Sequence, residues 1–289
     1  MLPFSLNRLY AVLHCSRQSF HQRRTRIKRL EEQQAQLLPI LREWRERHPG
    51  MSVRLLYDIL HPDCMGRDRF EQFCFDQGFQ VKLHCNKCKT TRSVLKHPFP
   101  NLLENLWLTG VNQVWVSDIT YFQIPEQMTY ITVLMDLWSR FIVGHQISTN
   151  MRTEHTTLPA LQKALKSRQP AIGLIVHSDA GGQYYSHKFL ELSAYHGIKN
   201  SMGRSVYENA HVERIHNTIK NQYLQYYHPC TIQKLKELME EVVNRYNFER
   251  PHASLGKQTP ARYETLKNLS AKKIIHRTYA TKQHLLILK

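Results

Sequence analysis

The chain has 289 residues, enough to bury at least one sizeable core and to form one to three domains. Forty Lys and Arg against 23 Asp and Glu give a formal net charge of +17, an excess that points to a polyanionic partner. No run of about 18 apolar residues occurs, which argues against a spanning helix. The start, MLPFSLNRLYAVLHCSRQSF, is broken by Arg8 and His14 and lacks a small-residue cleavage site, so the expectation is a cytoplasmic protein with no membrane association.

From LNRLYAVLHCSRQSF through REWRERHP the apolar spacing is helical, and the stretch between Arg17 and Arg29 is strongly basic. That stretch reads equally as a solvated helix face or as an arm that contacts DNA. Next, MSVRLLYDILHPDCMGRDRFEQFCFDQGF places two short amphipathic stretches around a turn with Pro62 and Gly66, a pattern compatible with helix-turn-helix. On that reading Arg67, Asp68, Arg69 and Gln72 open the second helix, where base or phosphate contacts would form. KLHCNKCKTTRSVLKHPFPNLLENL behaves as a connector, interrupted by Pro98 and Pro100. Its Cys85 and Cys88, preceded by Cys64 and Cys74, raise the question of zinc, but no second close pair follows at the usual spacing and reduced thiols are the default.

From residue 111 the pattern turns to strands. VWVSDITYF, MTYITVLMDLWS and RFIVGHQIST read as three consecutive antiparallel strands. A helix (TEHTTLPALQKALKS), a strand (GLIVHSD), a helix (SHKFLELSAYHG), a short strand (IKNSM) and two helices follow, so the order is β-β-β-α-β-α-β-α-α and implies a mixed sheet with helices on its faces. The expected division is 1–50 basic helical, 51–100 helix-turn-helix and connector, 108–265 core, and 266–289 basic tail.

Three acids stand out. Asp118 sits in the middle of an apolar strand, Asp179 ends a second one before Ala180, Gly181 and Gly182, and Glu213 lies in the helical stretch ENAHVERIHNTIKNQYL. Three carboxylates without His or Cys suit Mg²⁺ or Mn²⁺ better than zinc. A pair of such ions stabilises the entering and leaving oxygens of a phosphodiester reaction, with Asp118 as bridging ligand and Asp179 and Glu213 each completing one ion.

The blocks WVSDITYF, MDLWSRFIVG, HSDAGGQY, ENAHVERIHNTIK and YNFERPHASLGKQTP, in that order, resemble the catalytic core of OrfB-type insertion-sequence transposases, relatives of retroviral integrases. The resemblance covers roughly residues 110–262, and residues 1–80 more loosely resemble the helical front of such proteins. It implies a ribonuclease H-like α/β fold behind an α-helical helix-turn-helix region, metal-dependent cleavage at transposon ends, and strand transfer by the freed 3′ hydroxyl. It further implies duplex DNA as partner, a homo-oligomer in the synaptic complex, a contributing OrfA product, and residence at the nucleoid. A nuclease of the same fold that does not transfer strands and a non-catalytic DNA-binding regulator are the rival readings.

Here 33 residues separate Asp179 from Glu213, and Glu208 in the triplet Glu208-Asn209-Ala210 competes for the third place. Helical periodicity puts Asn209, Glu213 and Lys220 on one stripe and turns Glu208 away from it, which favours Glu213. Lys220 matches the family's basic residue and is expected to hold a phosphate; Gln183 and Tyr184 are placed to touch the scissile strand or to serve the loop. Asp136 is expected to hydrogen-bond or to pair with Arg140, His177 to be simply hydrogen-bonded, and Thr120 and Tyr121 to divide between core and cleft. Tyr223, Tyr226 and Tyr227 read as core packing or as base-stacking aromatics, and Asn247, Arg250, Pro251 and His252 read as structural.

Overall fold

The computed structural model describes residues 6–12, 14–81, 98–203, 210–269 and 276–277. Glu208, Cys85 and Cys88 lie outside the described residues, as does most of the 266–289 tail. Two compact units divide the chain at residues 82/83.

The first unit is helical: α1 (Leu6–Val12), α2 (Arg17–Arg47), α3 (Val53–Leu60) and α4 (Arg67–Asp76). The single long helix expected from residue 6 onward is broken, because His14 takes a left-handed conformation (φ 47°) and Ser16 then caps α2 by accepting from the Ser19 N–H at 3.0 Å. Ser52 caps α3 in the same way through the Leu55 N–H. Leu37 and Leu41 of α2 pack with Met51, Leu56, Met65, Phe70 and Cys74, so residue 50 falls inside one hydrophobic cluster. Arg45 closes this unit by donating to the carbonyls of Pro49 (3.0 Å), Met51 (2.7 Å) and Phe79 (2.8 Å).

In the second unit β1 (Trp107–Leu108) precedes the expected meander, β2 (Val114–Gln123), β3 (Met128–Asp136) and β4 (Ile142–Ser148). Then come α5 (Thr157–Arg168), β5 (Ile175–Ser178), α6 (His187–Tyr195), β6 (Lys199–Met202) and α7 (Ala210–Ile219). A π-helical turn, Lys220–Leu224, leads into α8 (Gln225–Tyr227), followed by α9 (Ile232–Phe248), α10 (Pro260–Leu269) and the short β7 (His276–Arg277). The main sheet has the order β4-β3-β2-β5-β6, antiparallel among β4, β3 and β2 and parallel among β2, β5 and β6. β1 and β7 form a separate antiparallel pair.

Strand alternation gives the sheet two apolar faces. Val114, Val116, Ile131 and Val133 face a cluster with Val212, Ile215 and Ile219 of α7 and Leu235, Met239 and Val242 of α9. Trp115, Leu134 and Val143 face the opposite cluster, which contains Ala160, Leu161, Ala164 and Leu165 of α5 and Phe189 of α6. Asp118 shares the parity of Val114 and Val116 and is therefore directed to the α7 face.

The end of the sheet where β2 begins is locked by polar contacts. Asp136 is fully buried and accepts from the backbone of Asn112 (2.6 Å), Trp138 (3.0 Å) and Ser139 (2.8 Å) and from the Ser139 hydroxyl (3.1 Å). Asn247 makes a two-way bond to Ile142, accepting from its N–H at 2.8 Å and donating to its carbonyl at 3.0 Å. Arg168 of α5 grips Glu264 of α10 with two bonds of 2.9 and 2.7 Å. Among the described residues no helix is long and apolar enough to cross a membrane.

α5 lies on β4 at Gly144, where an added Cβ would stand 2.5 Å from the Ala160 carbonyl oxygen and 3.0 Å from the Ala164 methyl. Gly144→Ala should therefore destabilise the second unit by about 1–3 kcal/mol through overpacking. Denaturant midpoints at unchanged m-value check this; an unaltered midpoint would show that the helix rides freely over the strand.

Candidate active site

Each of the three acids sits on a different element. Asp118 lies midway along β2, paired across the ladder with Val133 of β3. Asp179 lies one residue past β5, the strand that runs parallel to β2. Glu213 is in the first turn of α7 and exposed. The parallel pairing brings the end of β5 alongside the middle of β2, and α7 packs its Val212, Ile215 and Ile219 on the same sheet face.

The electrostatics register the convergence. Burial, then the like charge of Asp179 and that of Glu213, push the Asp118 carboxyl up to about 8, against which a single backbone bond from the Ile119 N–H at 2.9 Å works. Burial also raises Asp179, and the Gly181 N–H at 3.1 Å opposes it. A quarter of the Asp118 side chain still reaches solvent. Among the described residues no three His, Cys, Asp or Glu side chains close into a preformed metal cage. The donor chemistry nevertheless fits a hard divalent cation: the charges of Asp179 and Glu213 both act on Asp118, and a cation is the partner that would let Asp118 ionise there.

α7 presents a stripe to β2. Lys220 lies seven residues beyond Glu213, and the π turn begins only at Lys220, so the intervening spacing is that of an α-helix. Its ammonium donates to the Thr120 hydroxyl at 3.4 Å and stands 4.7 Å from the centre of the Tyr121 ring. Thr120 and Tyr121 thus both meet Lys220, where strand alternation had divided them between core and cleft. Burial lowers Lys220 from its ordinary value.

His216, on the same stripe, escaped the sequence reading. Its Nε2 is 3.6 Å from Asp118 Oδ2 and its side chain is only 6% exposed. Burial, then the charge of Lys220, holds its pKa down at about 3, so the ring is neutral beside the carboxylate. The signal was its position three residues after Glu213, one turn along the same face.

Gly181 is needed for closeness to the acid, not for a left-handed backbone: its Cβ would stand 3.0 Å from Asp179 Oδ1 and 3.1 Å from Gln183 Oε1. Gln183 spends its amide N–H on the Met151 carbonyl at 3.0 Å. Tyr184 is buried and shares a 2.9 Å hydrogen bond with Ser117, on the strand face away from Asp118, so it supports the loop after Asp179. His177 is buried and bonded to Ser201 at 2.9 Å. Tyr223 is core, and Tyr227 accepts from Arg245 at 2.6 Å. In the helical unit Arg67 is held by Asp68 at 3.1 Å and lies 3.9 Å from Glu71, while Arg69 is exposed.

A five-stranded mixed sheet, with one acid on its central strand, a second just past the neighbouring parallel strand and a third on the helix packed against the central strand, defines a ribonuclease H-like core of the integrase class. Comparison with known proteins agrees: the Integrase core domain matches residues 109–207, and a second Integrase core domain description matches residues 196–260. A 31 kDa protein of insertion element IS600 from Shigella sonnei is 33% identical over 69% of this chain and 75% of its own length. Transposase InsF of insertion sequence IS3A from Escherichia coli K12 is 35% identical over 59% of this chain, which spans 60% of InsF. A simian T-cell lymphotropic virus intasome structure, solved in complex with PP2A regulatory subunit B56 gamma, is similar in fold, with TM-score 0.52 and 15% identity over 80% of this chain and 81% of that one. The chain belongs to the insertion-sequence transposases with an integrase-like DDE core, enzymes of DNA transposition and integration.

The raised Asp118 pKa has a stability consequence of definite sign. In the fold this carboxyl keeps its proton up to about pH 8, whereas an unfolded Asp loses it near pH 4. Over that window the native state binds more protons, so Asp118 makes stability fall as pH rises. With chelator present, the unfolding free energy of Asp118→Asn minus that of wild type should grow from pH 5 to pH 8, and parallel pH curves would contradict the shift. A Gly181→Ala variant should fold yet lose at least tenfold in DNA cleavage rate, because the added methyl presses on the Asp179 carboxylate; a rate equal to wild type would count against that crowding.

Proposed function

We propose that the chain cuts DNA at insertion-sequence ends and joins the freed 3′ hydroxyl to target DNA, with Asp118, Asp179 and Glu213 as the catalytic set. The observation that carries this reading is geometric: Asp118 lies midway along the central strand, Asp179 just past the parallel strand beside it and Glu213 on the helix packed against the same sheet face, and the charges of the last two act on a half-buried Asp118. Asp118, Asp179 and Glu213 would be the residues that hold the Mg²⁺ or Mn²⁺ ions, two on this reading. When bound, such ions polarise the phosphoryl oxygen and lower the pKa of the attacking water or hydroxyl.

The chain's own residues do the rest. His216, neutral and wedged against Asp118 Oδ2, limits how that carboxylate can turn. Lys220, fixed by Thr120 and Tyr121, offers its remaining donors to a DNA phosphate at the edge of the site. The Gln183 carboxamide oxygen, close beside Gly181, is placed to meet the scissile strand, its N–H being taken by Met151. In the helical unit Arg69, exposed at the start of α4, is the freer of the two expected DNA contacts, since Arg67 must first leave Asp68.

On this reading the segments assigned from sequence, with the core at 108–265 behind helical DNA-binding regions and a basic tail after it, work on duplex DNA at the nucleoid. Bringing two transposon ends together calls for a multimer, and an OrfA product is the expected source of additional end recognition.

The deciding experiment combines protein, Mg²⁺ and a labelled transposon-end duplex for wild type and Asp118→Asn. Joined products that disappear in the variant while binding persists are the expected outcome. Hydrolysis without joining would instead favour a nuclease, and binding alone a regulator. Metal binding should also be linked to protons: at pH 7 the Asp118 carboxyl is largely protonated, so Mg²⁺ must displace up to one proton. Calorimetric titration in two buffers of different ionisation enthalpy checks this, and equal heats in both would contradict it.

A further inference from the structure

We propose that the amino-terminal half of α2, Arg17–Arg29, is a separate docking surface for the phosphate backbone of duplex DNA. The proposal rests on the reading of the chain as a DNA transposase and adds to it a surface outside the carboxylate site. Residues 17–29 carry Arg17, Arg23, Arg24, Arg26, Lys28 and Arg29 and no acid, and every one of them is exposed. The helix itself is well founded, starting at the Ser16 cap and reaching its buried anchors only at Leu37 and Leu41. About 20 Å of capped helix at 1.5 Å per residue therefore presents cations to solvent.

Among the described residues these arginines have no carboxylate within ion-pair distance, and Lys28 reaches Glu32 only at 3.9 Å with both side chains exposed. The contrast with α4 is direct. Its two arginines share a ten-residue helix with Asp68, Glu71 and Asp76, and its Arg67 is already engaged. The uncompensated positive charge of this unit is thus on α2, not on the helix that the turn pattern had nominated for DNA.

Periodicity arranges the charge. Arg17, His21, Arg24 and Lys28 follow at i, i+4, i+7 and i+11 and form one stripe of roughly 16 Å, turned well away from the Leu37 and Leu41 side. Duplex DNA offers about one negative charge per 1.7 Å of axis, so a stripe of this length can meet several phosphates without reading a base. An anionic lipid surface fits less well: Arg23 sits between Phe20 and Ile27 on the remaining face, and Phe20 is partly covered by the Tyr10 ring at 5.4 Å.

The test uses the full chain, random-sequence duplex DNA and a salt series read by fluorescence anisotropy, comparing wild type with R17Q/R24Q/K28Q and with R67Q/R69Q. Glutamine preserves helix propensity, and circular dichroism checks that α2 persists. Removing three phosphate contacts should make the slope of log affinity against log salt shallower by about 2.7, while R67Q/R69Q should change it by less than about one. An unchanged slope in the triple variant, or wild type that binds anionic vesicles more tightly than DNA, overturns the proposal. The joining assay keeps the two readings apart. A lowered slope with no joining by wild type leaves this surface standing and removes the chemistry; joining by wild type with an unchanged slope does the reverse.

Discussion

An ionisable carboxylate in the middle of a central β-strand is the constraint around which this molecule is organised. Removing a charge from water costs several kcal/mol unless a partner of opposite sign replaces the solvent. Asp118 has one backbone N–H, a neutral imidazole and two further acids for company. No arrangement of those groups satisfies it; they make its ionisation harder. The site is thus incomplete in a chemically specific way, and a small, hard, doubly charged ion completes it without any change of fold.

Asp136 on the neighbouring strand shows what the same residue type does when satisfied. It is more deeply buried than Asp118, yet it collects four donors from Asn112, Trp138 and Ser139 and stitches the β3–β4 turn to the start of β2. With the Asn247–Ile142 pair and the Arg168–Glu264 bridge, it makes that end of the sheet rigid. Hydrogen-bond saturation at one end of the strands and carboxylate crowding farther along them divide scaffold from chemistry within one sheet.

Much of this was legible in the sequence because it depends on local periodicity. Period-two alternation located β2, β3 and β4, the apolar run before Asp179 located β5, and helical spacing located the helix that carries Glu213. What escaped depends on contacts distant in sequence. The break before α2 follows from one left-handed His14 and a serine cap, which apolar spacing does not encode. For Tyr184 the sequence left a cleft role and a loop role open, and only the distant partner Ser117, on the sheet face away from Asp118, decides for the loop. His216 was missed although its place one turn after Glu213 marks the same helix face, because only the strand opposite shows that this face meets Asp118.

The wide turn at Lys220–Leu224 bears on how this helix can evolve. Inserting one residue into a helical ladder rotates everything downstream by about 100° relative to what precedes it. Ahead of it the side chains keep step with β2; within it Tyr223 goes into the core, and behind it Tyr227 meets Arg245. The two halves of one rod therefore answer to different neighbours, joined by a built-in phase slip. Single-residue insertions or deletions between Glu213 and Lys220 would be purged by selection, whereas substitutions on the outer face of the same turns would drift freely.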